Sequence, residues 1–185
     1  MENFQRANDE FEKSICSFTG SKYAVATVNG TAALHLSLLS AKVKPGDLVL
    51  TSPLTFVATC NSITYAGAEP VFVDVEENSL GLAPEILNNF LKNNAELRDD
   101  GVCWHKTRNR PIRVCLPVHC LGHPADSEEL SKICAKYRIN LVEDAAAALG
   151  SWHKSSHAGL IGTASSISFN GNKIVTSGGG GIVLL

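Results

Sequence analysis

What this chain can fold into is limited above all by a regular alternation of short apolar segments with helical patterns. Strands are predicted at 23–28, 48–52, 70–75, 114–119, 139–145, 165–169 and 181–185. Helices are predicted at 6–18, 31–42, 56–67, 84–94 and 126–137. Because apolar strands that are joined by helices are buried on both faces, the pattern predicts an α/β fold with a mainly parallel sheet covered by helices.

Charge and cysteine usage exclude several function classes. The net charge of −2 gives no general attraction for nucleic acid or an anionic membrane, so neither is an expected partner. No apolar run approaches the length of a membrane span, and the polar segment 1–13 is unlike a secretory leader. The six cysteines occur singly, which predicts reduced thiols and a cytoplasmic location.

Two further features concern the organisation of the chain. The polar, charge-rich segment 94–113 is predicted to be a surface loop that contributes to specificity, with disorder as the alternative. The sequence stops at Leu185, inside a predicted strand. We therefore expect it to be an internal fragment of a longer protein, incomplete at both ends.

Polar residues follow two of the predicted strands, where ligands bind in sheets of this kind. Gly30 and Thr31 open a helix, whose free N–H groups can bind phosphate, although an ordinary turn and helix cap would have the same sequence. Asp144 ends another buried strand and precedes four alanines. Its partner could be a metal, a ribose or a protonated ring nitrogen, or the carboxylate could be purely structural.

Lys173 lies in a polar turn between a predicted strand and the glycines at 178–181. These glycines would let a ligand or a second chain segment approach closely. The lysine is a candidate nucleophile or phosphate ligand, and an exposed turn lysine is the alternative. A phosphate cradle, an acid and a lysine at one edge of a sheet are together the groups that hold pyridoxal 5'-phosphate.

Five stretches carry a family resemblance that covers most of the chain. They are VNGTAALHLSLL (28–39), KPGDLVLTSPLTFVATCNSITYAGAEPVFVDV (44–75), LPVHCLGHPAD (116–126), LVEDAAAALGS (141–151) and GTASSISFNGNKIVTSGGGGIV (162–183). In order and spacing they resemble the DegT/StrS sugar aminotransferases, which are fold-type-I pyridoxal-phosphate enzymes. The resemblance implies that residues 1–185 are a partial large domain that binds pyridoxal phosphate, without the C-terminal small domain, in a homodimer with shared active sites.

The resemblance also implies roles for individual residues. Lys173 matches the Schiff-base lysine, which also moves a proton during catalysis, and Asp144 matches the acid that pairs with the pyridine nitrogen. Gly30 and Thr31 match the phosphate-binding turn, and Ser168 matches a serine that adds a hydrogen bond to the phosphate.

Four more residues fall near the implied site. Phe56 matches the aromatic residue that stacks on the cofactor ring, and Asn172 lies beside the lysine. His119 falls on a family histidine near the site, although a histidine with a purely structural hydrogen bond is an equal alternative. Ala147 departs from the family, which usually has Gln or Glu there, in contact with the cofactor near its 3'-oxygen.

The implied reaction is transamination of a nucleotide-linked keto sugar, with L-glutamate as the amino donor. The stretch FNGNKI followed by TSGGGG is most similar to the branch that aminates 4-keto-6-deoxy-N-acetylhexosamines of the bacillosamine and legionaminic type. The main alternative is a relative that binds the cofactor or sugar without turnover, or a fragment without activity. Dehydratase relatives have histidine at the position of Lys173, so the lysine disfavours a dehydratase function.

Two unrelated classes fit the sequence poorly. A metal enzyme would have to use the histidines at 119, 123, 153 and 157, whose spacing matches no standard zinc site. A dinucleotide-binding protein would carry a GxGxxG motif after the first strand, and the sequence has none there.

Overall fold

The computed structural model describes residues 2–185, with side chains described from Gln5 onward. The helices are α1 (Glu2–Thr19), α2 (Gly30–Ser40), α3 (Val57–Tyr65), α4 (Pro84–Asn94) and α5 (Ser127–Lys136). The strands are β1 (Ala24–Thr27), β2 (Leu48–Thr51), β3 (Glu69–Phe72), β4 (Ala95–Leu97), β5 (Cys103–His105), β6 (Arg110–Leu116), β7 (Asn140–Asp144), β8 (Trp152–His153), β9 (Ser156–His157), β10 (Ala164–Ser168) and β11 (Gly181–Leu184).

The main sheet confirms the predicted α/β class. Its strand order is β1-β11-β10-β7-β6-β2-β3. The five neighbours from β10 to β3 pair in parallel, whereas β11 is antiparallel to both β1 and β10. The exception has a simple cause: a helix connects most of the parallel strands, but the segment 169–180, which connects β10 to β11, contains no helix. A strand that returns without a crossover helix pairs antiparallel.

Helices cover both faces of the sheet, and strand β2 shows how. Leu48 and Leu50 point into a core that α4 and α5 close, through residues such as Leu87. Val49, between them, points into a second core that α2 and α3 close, through residues such as Leu34. Alternate side chains of one strand are therefore buried on opposite sides, which explains why these strands are apolar without interruption.

A third core lies where α1 packs on the β1, β10 and β11 end of the sheet. Phe11 of α1 contacts Phe169 edge-on, with 5.1 Å between the ring centroids. On the same helix, Glu12 accepts a hydrogen bond from the Ala26 backbone N–H at 2.8 Å. Since β1 is an edge strand, this carboxylate occupies a backbone donor that another strand could otherwise pair with. Within residues 2–185, none of the helices is long and apolar enough to cross a membrane.

The segment 94–113 is not the loop that the sequence predicts. It contains β4, β5 and the start of β6, which form an antiparallel meander at the edge of the sheet. Charged side chains fit in β6 because they are paired: Arg110 with Glu69, and Arg113 with Asp47 at 3.0 Å. Strand β5 pairs with the beginning of β6, which is the end opposite the carboxyl ends of the parallel strands. The expected contribution of this segment to specificity is therefore not supported.

Candidate functional site

A cavity of about 680 Å³ opens at the carboxyl ends of the strands. Its walls come from the segments that follow β1, β2, β3, β6, β7 and β10. Every site residue predicted from the sequence lines it: Gly30, Thr31, Phe56, His119, Asp144, Ala147, Ser168, Asn172 and Lys173. The fold thus brings together residues that are up to 143 positions apart in the sequence, as the rule for ligands at strand ends predicts.

One end of the cavity suits an anion. Asn29 caps α2 by accepting a hydrogen bond from the Ala32 N–H at 2.8 Å, so the helix begins at Gly30. Among the residues described, the N–H groups of Gly30 and Thr31 have no protein acceptor. Ser168 accepts a long hydrogen bond of 3.4 Å from the Asn170 N–H and keeps its own proton free to donate. A phosphate could therefore accept several hydrogen bonds at the positive end of the helix.

Two glycines allow this end of the cavity to form. A Cβ atom on Gly30 would lie 2.7 Å from the Cβ of Ser168, and one on Gly181 would lie 2.7 Å from the backbone nitrogen of Gly30. The last glycine of the GGGG run therefore admits a second chain segment, as the sequence predicts. That segment is the turn that begins α2. By contrast, Gly178 and Gly179 have no neighbour that a Cβ would meet within 4 Å.

Replacing Gly181 by alanine should therefore displace the turn at Gly30 and weaken phosphate binding. We expect the dissociation constant for pyridoxal phosphate to rise at least about tenfold, since one lost hydrogen bond to a charged group costs roughly 1.5–3 kcal/mol. The matched control is Gly179→Ala, which has open space and no positive φ. A titration followed by absorbance compares the two. Equal affinity in both variants would contradict the role given to this close approach.

Asp144 is held by bonds to both carboxyl oxygens. Oδ2 accepts a hydrogen bond from the Thr59 hydroxyl at 2.6 Å, and Oδ1 accepts one from the Ala146 N–H at 3.1 Å. Burial raises the pKa of this carboxyl group above 3.8, against the opposing effects of the Thr59 and Ala146 hydrogen bonds. A cationic ring nitrogen in the cavity would offset the cost of burying the charge.

Lys173 lies in a turn closed by its own N–H, which donates to the Asn170 carbonyl at 3.0 Å. The Asn170 side-chain amide donates to Asn172 Oδ1, also at 3.0 Å, which stiffens the same turn. The lysine side chain is partly buried, and it forms no ion pair with any described residue. Its amine is thus available to a carbonyl compound in the cavity.

The structure favours the structural alternative for His119. Its Nδ1 accepts a hydrogen bond from the Ala125 N–H at 3.0 Å, so Nε2 carries the proton and donates to Glu143 at 3.1 Å. Glu143 is completely buried and also accepts from the N–H groups of Ile161 and Gly162. Burial is the largest single effect on the pKa of Glu143, and it acts to raise that pKa. The hydrogen bonds together outweigh it, so the pKa of Glu143 lies below its usual value. Both ring nitrogens of His119 are thus used within the protein.

Ala147 lines the cavity, and its backbone packs against the turn after β6. A Cβ on Gly122 would lie 2.7 Å from the carbonyl oxygen of Ala147, so the turn after β6 packs directly on this residue. In the same turn Leu121 has φ of 52° and is 85% exposed at the cavity rim. A branched residue at positive φ is strained, and here the strain directs an apolar side chain to the cavity. Nothing in the local sequence indicated that Leu121 would line the cavity.

The four histidines considered for a metal site do not converge. Within residues 5–185, no three side chains of His, Cys, Asp or Glu are placed to bind one metal ion. His157 uses both nitrogens on the backbone, donating to the Ala158 carbonyl at 2.6 Å and accepting from the Gly150 N–H at 2.9 Å.

Comparison with known proteins agrees with this arrangement. Residues 3–185 match the DegT/DnrJ/EryC1/StrS aminotransferase family. The chain belongs to this family. GDP-perosamine synthase of Caulobacter vibrioides is 34% identical over 94% of this chain and 42% of its own length. The chain thus spans less than half the length of this curated relative.

Solved structures of family members share this fold and indicate which cofactor the cavity binds. The Spr1654 protein of Streptococcus pneumoniae, in its PLP form, is 28% identical with a TM-score of 0.80, over 96% of this chain and 45% of that one. DesI, solved in the presence of its TDP-sugar product, is 29% identical with a TM-score of 0.80, over 96% and 40%. The matched family and the PLP form of a relative identify pyridoxal phosphate as the cofactor. The cavity of this family member fits it, with an anion site, a buried acid and an unpaired lysine.

Proposed function

We propose that this family member transfers an amino group from L-glutamate to a nucleotide-linked keto sugar, with residues 1–185 as part of the large domain of a longer protein. The observation that carries the proposal is the placement of the anion site, Asp144 and Lys173 around one cavity. Two relatives support the substrate class, since one is named for a GDP-sugar and the other was solved with its TDP-sugar product.

Each part of the cavity then has a task. The N–H groups of Gly30 and Thr31 and the hydroxyl of Ser168 bind the cofactor phosphate. Asp144 holds a proton on the ring nitrogen by its charge. When bound, the cofactor supplies a carbonyl carbon for the lysine and a ring that accepts an electron pair. The amine of Lys173 would hold that carbon and, when free, would carry a proton to and from the reacting carbon of the substrate.

Apolar side chains around the cavity support a deoxy sugar. Phe56 is 76% exposed and offers its face to a flat ring. The leucines at 54, 80 and 121 line the cavity and are all exposed. A methyl group at C6 would bury these surfaces better than a hydroxyl group would. We therefore propose a 4-keto-6-deoxy sugar of the bacillosamine or legionaminic type, made for surface glycans.

An apolar surface supports a homodimer with shared active sites. The outer faces of α2 and α3 carry Leu36, Leu39, Val57 and Tyr65, which are each at least 44% exposed. Both α2 and α3 begin at the cavity. A second copy of this chain packed on their outer faces would therefore lie beside the cavity and complete it. Sedimentation of the intact protein should give a dimer, and a monomer at all concentrations would refute this assembly.

Cysteine chemistry supports a cytoplasmic location. All six cysteines are free. Three of them, Cys103, Cys115 and Cys134, are buried, and burial raises the pKa of the Cys103 thiol to about 12. Buried, protonated thiols are typical of proteins that work in a reducing compartment.

The reaction is tested with the intact protein, pyridoxal phosphate and glutamate. Nucleotide-linked 4-keto-6-deoxy sugars are compared with 4-keto sugars that keep the C6 hydroxyl, and products are identified by mass spectrometry. We expect an amino sugar and 2-oxoglutarate, with the deoxy sugar favoured about tenfold or more, the usual worth of a good apolar contact. Cofactor binding without transfer to any keto sugar would instead favour the non-catalytic relative.

A further inference from the structure

A chain of two hydroxyl groups, of a partly buried Thr55 and a buried Thr59, ends on the Asp144 carboxylate. Thr59 is completely buried, and its Oγ1 lies 2.6 Å from Asp144 Oδ2 and 2.6 Å from Thr55 Oγ1. A threonine in a helix usually bonds to a carbonyl of the preceding turn, as Thr64 of the same helix does with Asn61 at 2.8 Å. Thr59 bonds instead to the side chains of Thr55 and Asp144, so its hydroxyl group points at the Asp144 carboxyl group.

The number of protons on each group determines which group donates in each of these hydrogen bonds. A hydroxyl group donates one hydrogen bond. When Asp144 is ionised it can only accept, so Thr59 donates to it and Thr55 donates to Thr59. When Asp144 is protonated on Oδ2, it donates to Thr59, which donates to Thr55. Thr55 then donates to the Phe56 carbonyl, which lies 3.3 Å away. Thr59 therefore keeps one donor and one acceptor in both states.

We propose that Thr59, oriented by Thr55, is a positioning residue that fixes the orientation of the Asp144 carboxyl group and keeps it ionised when a cationic ring nitrogen is bound. This assignment rests on the proposed function for its purpose, but its geometry does not. The Ala146 N–H holds the other carboxyl oxygen at 3.1 Å. With one bond on each oxygen, the carboxyl plane cannot rotate without breaking a buried hydrogen bond.

The electrostatic surroundings show why such a residue is needed. Burial raises the pKa of Asp144, while the Thr59 hydrogen bond is the strongest of the effects that lower it. The other ionisable groups that face Asp144 are His119, from the segment after β6, and Lys173, from the turn after β10. Glu143 precedes it in β7, and its carboxylate is held by hydrogen bonds from His119, Ile161 and Gly162. Without Thr59, a larger fraction of the carboxyl groups would be protonated and unable to hold a cation.

The experiment compares three variants of the intact protein with a matched control. Thr59→Val removes the hydroxyl at constant volume, Thr59→Ser keeps it, and Thr55→Val removes only the donor that orients it. Thr64→Val is the control, because Thr64 is exposed on the same helix and bonds only to its own backbone. Two quantities are measured: the titration of the Asp144 carboxyl carbon by ¹³C NMR without cofactor, and the dissociation constant for pyridoxal phosphate.

We expect Thr59→Val to raise the pKa of Asp144. The dissociation constant for pyridoxal phosphate should rise about tenfold or more, which is the contribution of one hydrogen bond to a charged group. Thr55→Val should raise the dissociation constant by a smaller factor, and Thr59→Ser and Thr64→Val should match the unchanged protein. Unchanged carboxyl titration and affinity in Thr59→Val would overturn the proposal. If that variant does not fold, an unchanged titration in Thr55→Val overturns it.

The two measurements also separate this inference from the proposed function. If the unchanged protein does not bind pyridoxal phosphate, the proposed function fails. The carboxyl titration of the cofactor-free variants still decides whether Thr59 controls Asp144.

Discussion

Replacing Lys173 by alanine is expected to abolish amino transfer. Among the residues that the structure describes, Lys173 is the one lysine that lines the cavity. Its amine is assigned both the bond to the cofactor and the movement of the proton. Loss of a general acid or base alone slows a reaction by roughly 10²–10⁴-fold, and loss of the covalent bond adds to that. We therefore expect turnover to fall by at least about 10³-fold, measured as 2-oxoglutarate formed from glutamate.

A matched control and a chemical label make this result specific. Lys13 lies exposed on α1, outside the cavity, so Lys13→Ala should retain full turnover. Borohydride reduction of the protein with pyridoxal phosphate should attach the cofactor to the peptide that contains Lys173, and the alanine variant should not be labelled there. Normal turnover in Lys173→Ala would remove the proposed mechanism.

Replacing Asp144 by asparagine should weaken cofactor binding and at the same time stabilise the cofactor-free protein. With the cofactor bound, the variant leaves a buried cation without its counter-charge, which typically costs about 3–5 kcal/mol. That loss corresponds to roughly 10²–10⁴-fold in the dissociation constant, which a titration followed by absorbance measures. Without the cofactor, asparagine avoids the cost of burying a charge and can still bond to Thr59 and Ala146.

The stabilising effect should depend on pH in a defined direction. Because burial raises the pKa of Asp144 above 3.8, the folded protein binds this proton more tightly than the unfolded chain does. The free energy of unfolding therefore falls as the pH rises from 3.8 through the folded pKa, and the cost is present in full above it. The variant should melt higher than the unchanged protein at neutral pH, by about 2–4 °C per kcal/mol gained, and the difference should vanish in acid.

Thermal melts of both proteins from acid to neutral pH test this prediction. Adding saturating pyridoxal phosphate should reverse the order at neutral pH, because only the unchanged protein gains the full stabilisation of a bound ligand. A lower melting temperature for the cofactor-free variant at neutral pH would show that the Asp144 charge stabilises the fold on its own.

The sequence predicted the cavity better than it predicted the sheet around it. Residues such as Gly30, Asp144 and Lys173 could be found because polar or glycine residues directly after apolar strands are conspicuous in the chain. The meander at 94–113 was missed because Arg110 and Arg113 resemble loop residues until their partners, Glu69 and Asp47, are known. Charge in a strand is acceptable only when the fold supplies the opposite charge.

Contacts across long sequence distances were also beyond prediction. Thr59 and Asp144 are 85 positions apart, and nothing in the local sequence of either residue indicates the other. The same holds for the antiparallel placement of β11, since a sequence pattern specifies that a strand exists but not which neighbour it joins.

The insertion of β11 between β1 and β10 affects when the site can exist during synthesis. The anion-binding turn is made early, after β1, whereas the strand that presses against it ends at Leu184. A nascent chain on the ribosome therefore has the helix that would bind phosphate long before it has the lysine turn and the strand that closes the sheet. Because β11 presses against the turn at Gly30, the anion site takes the form described here only after β11 has been made.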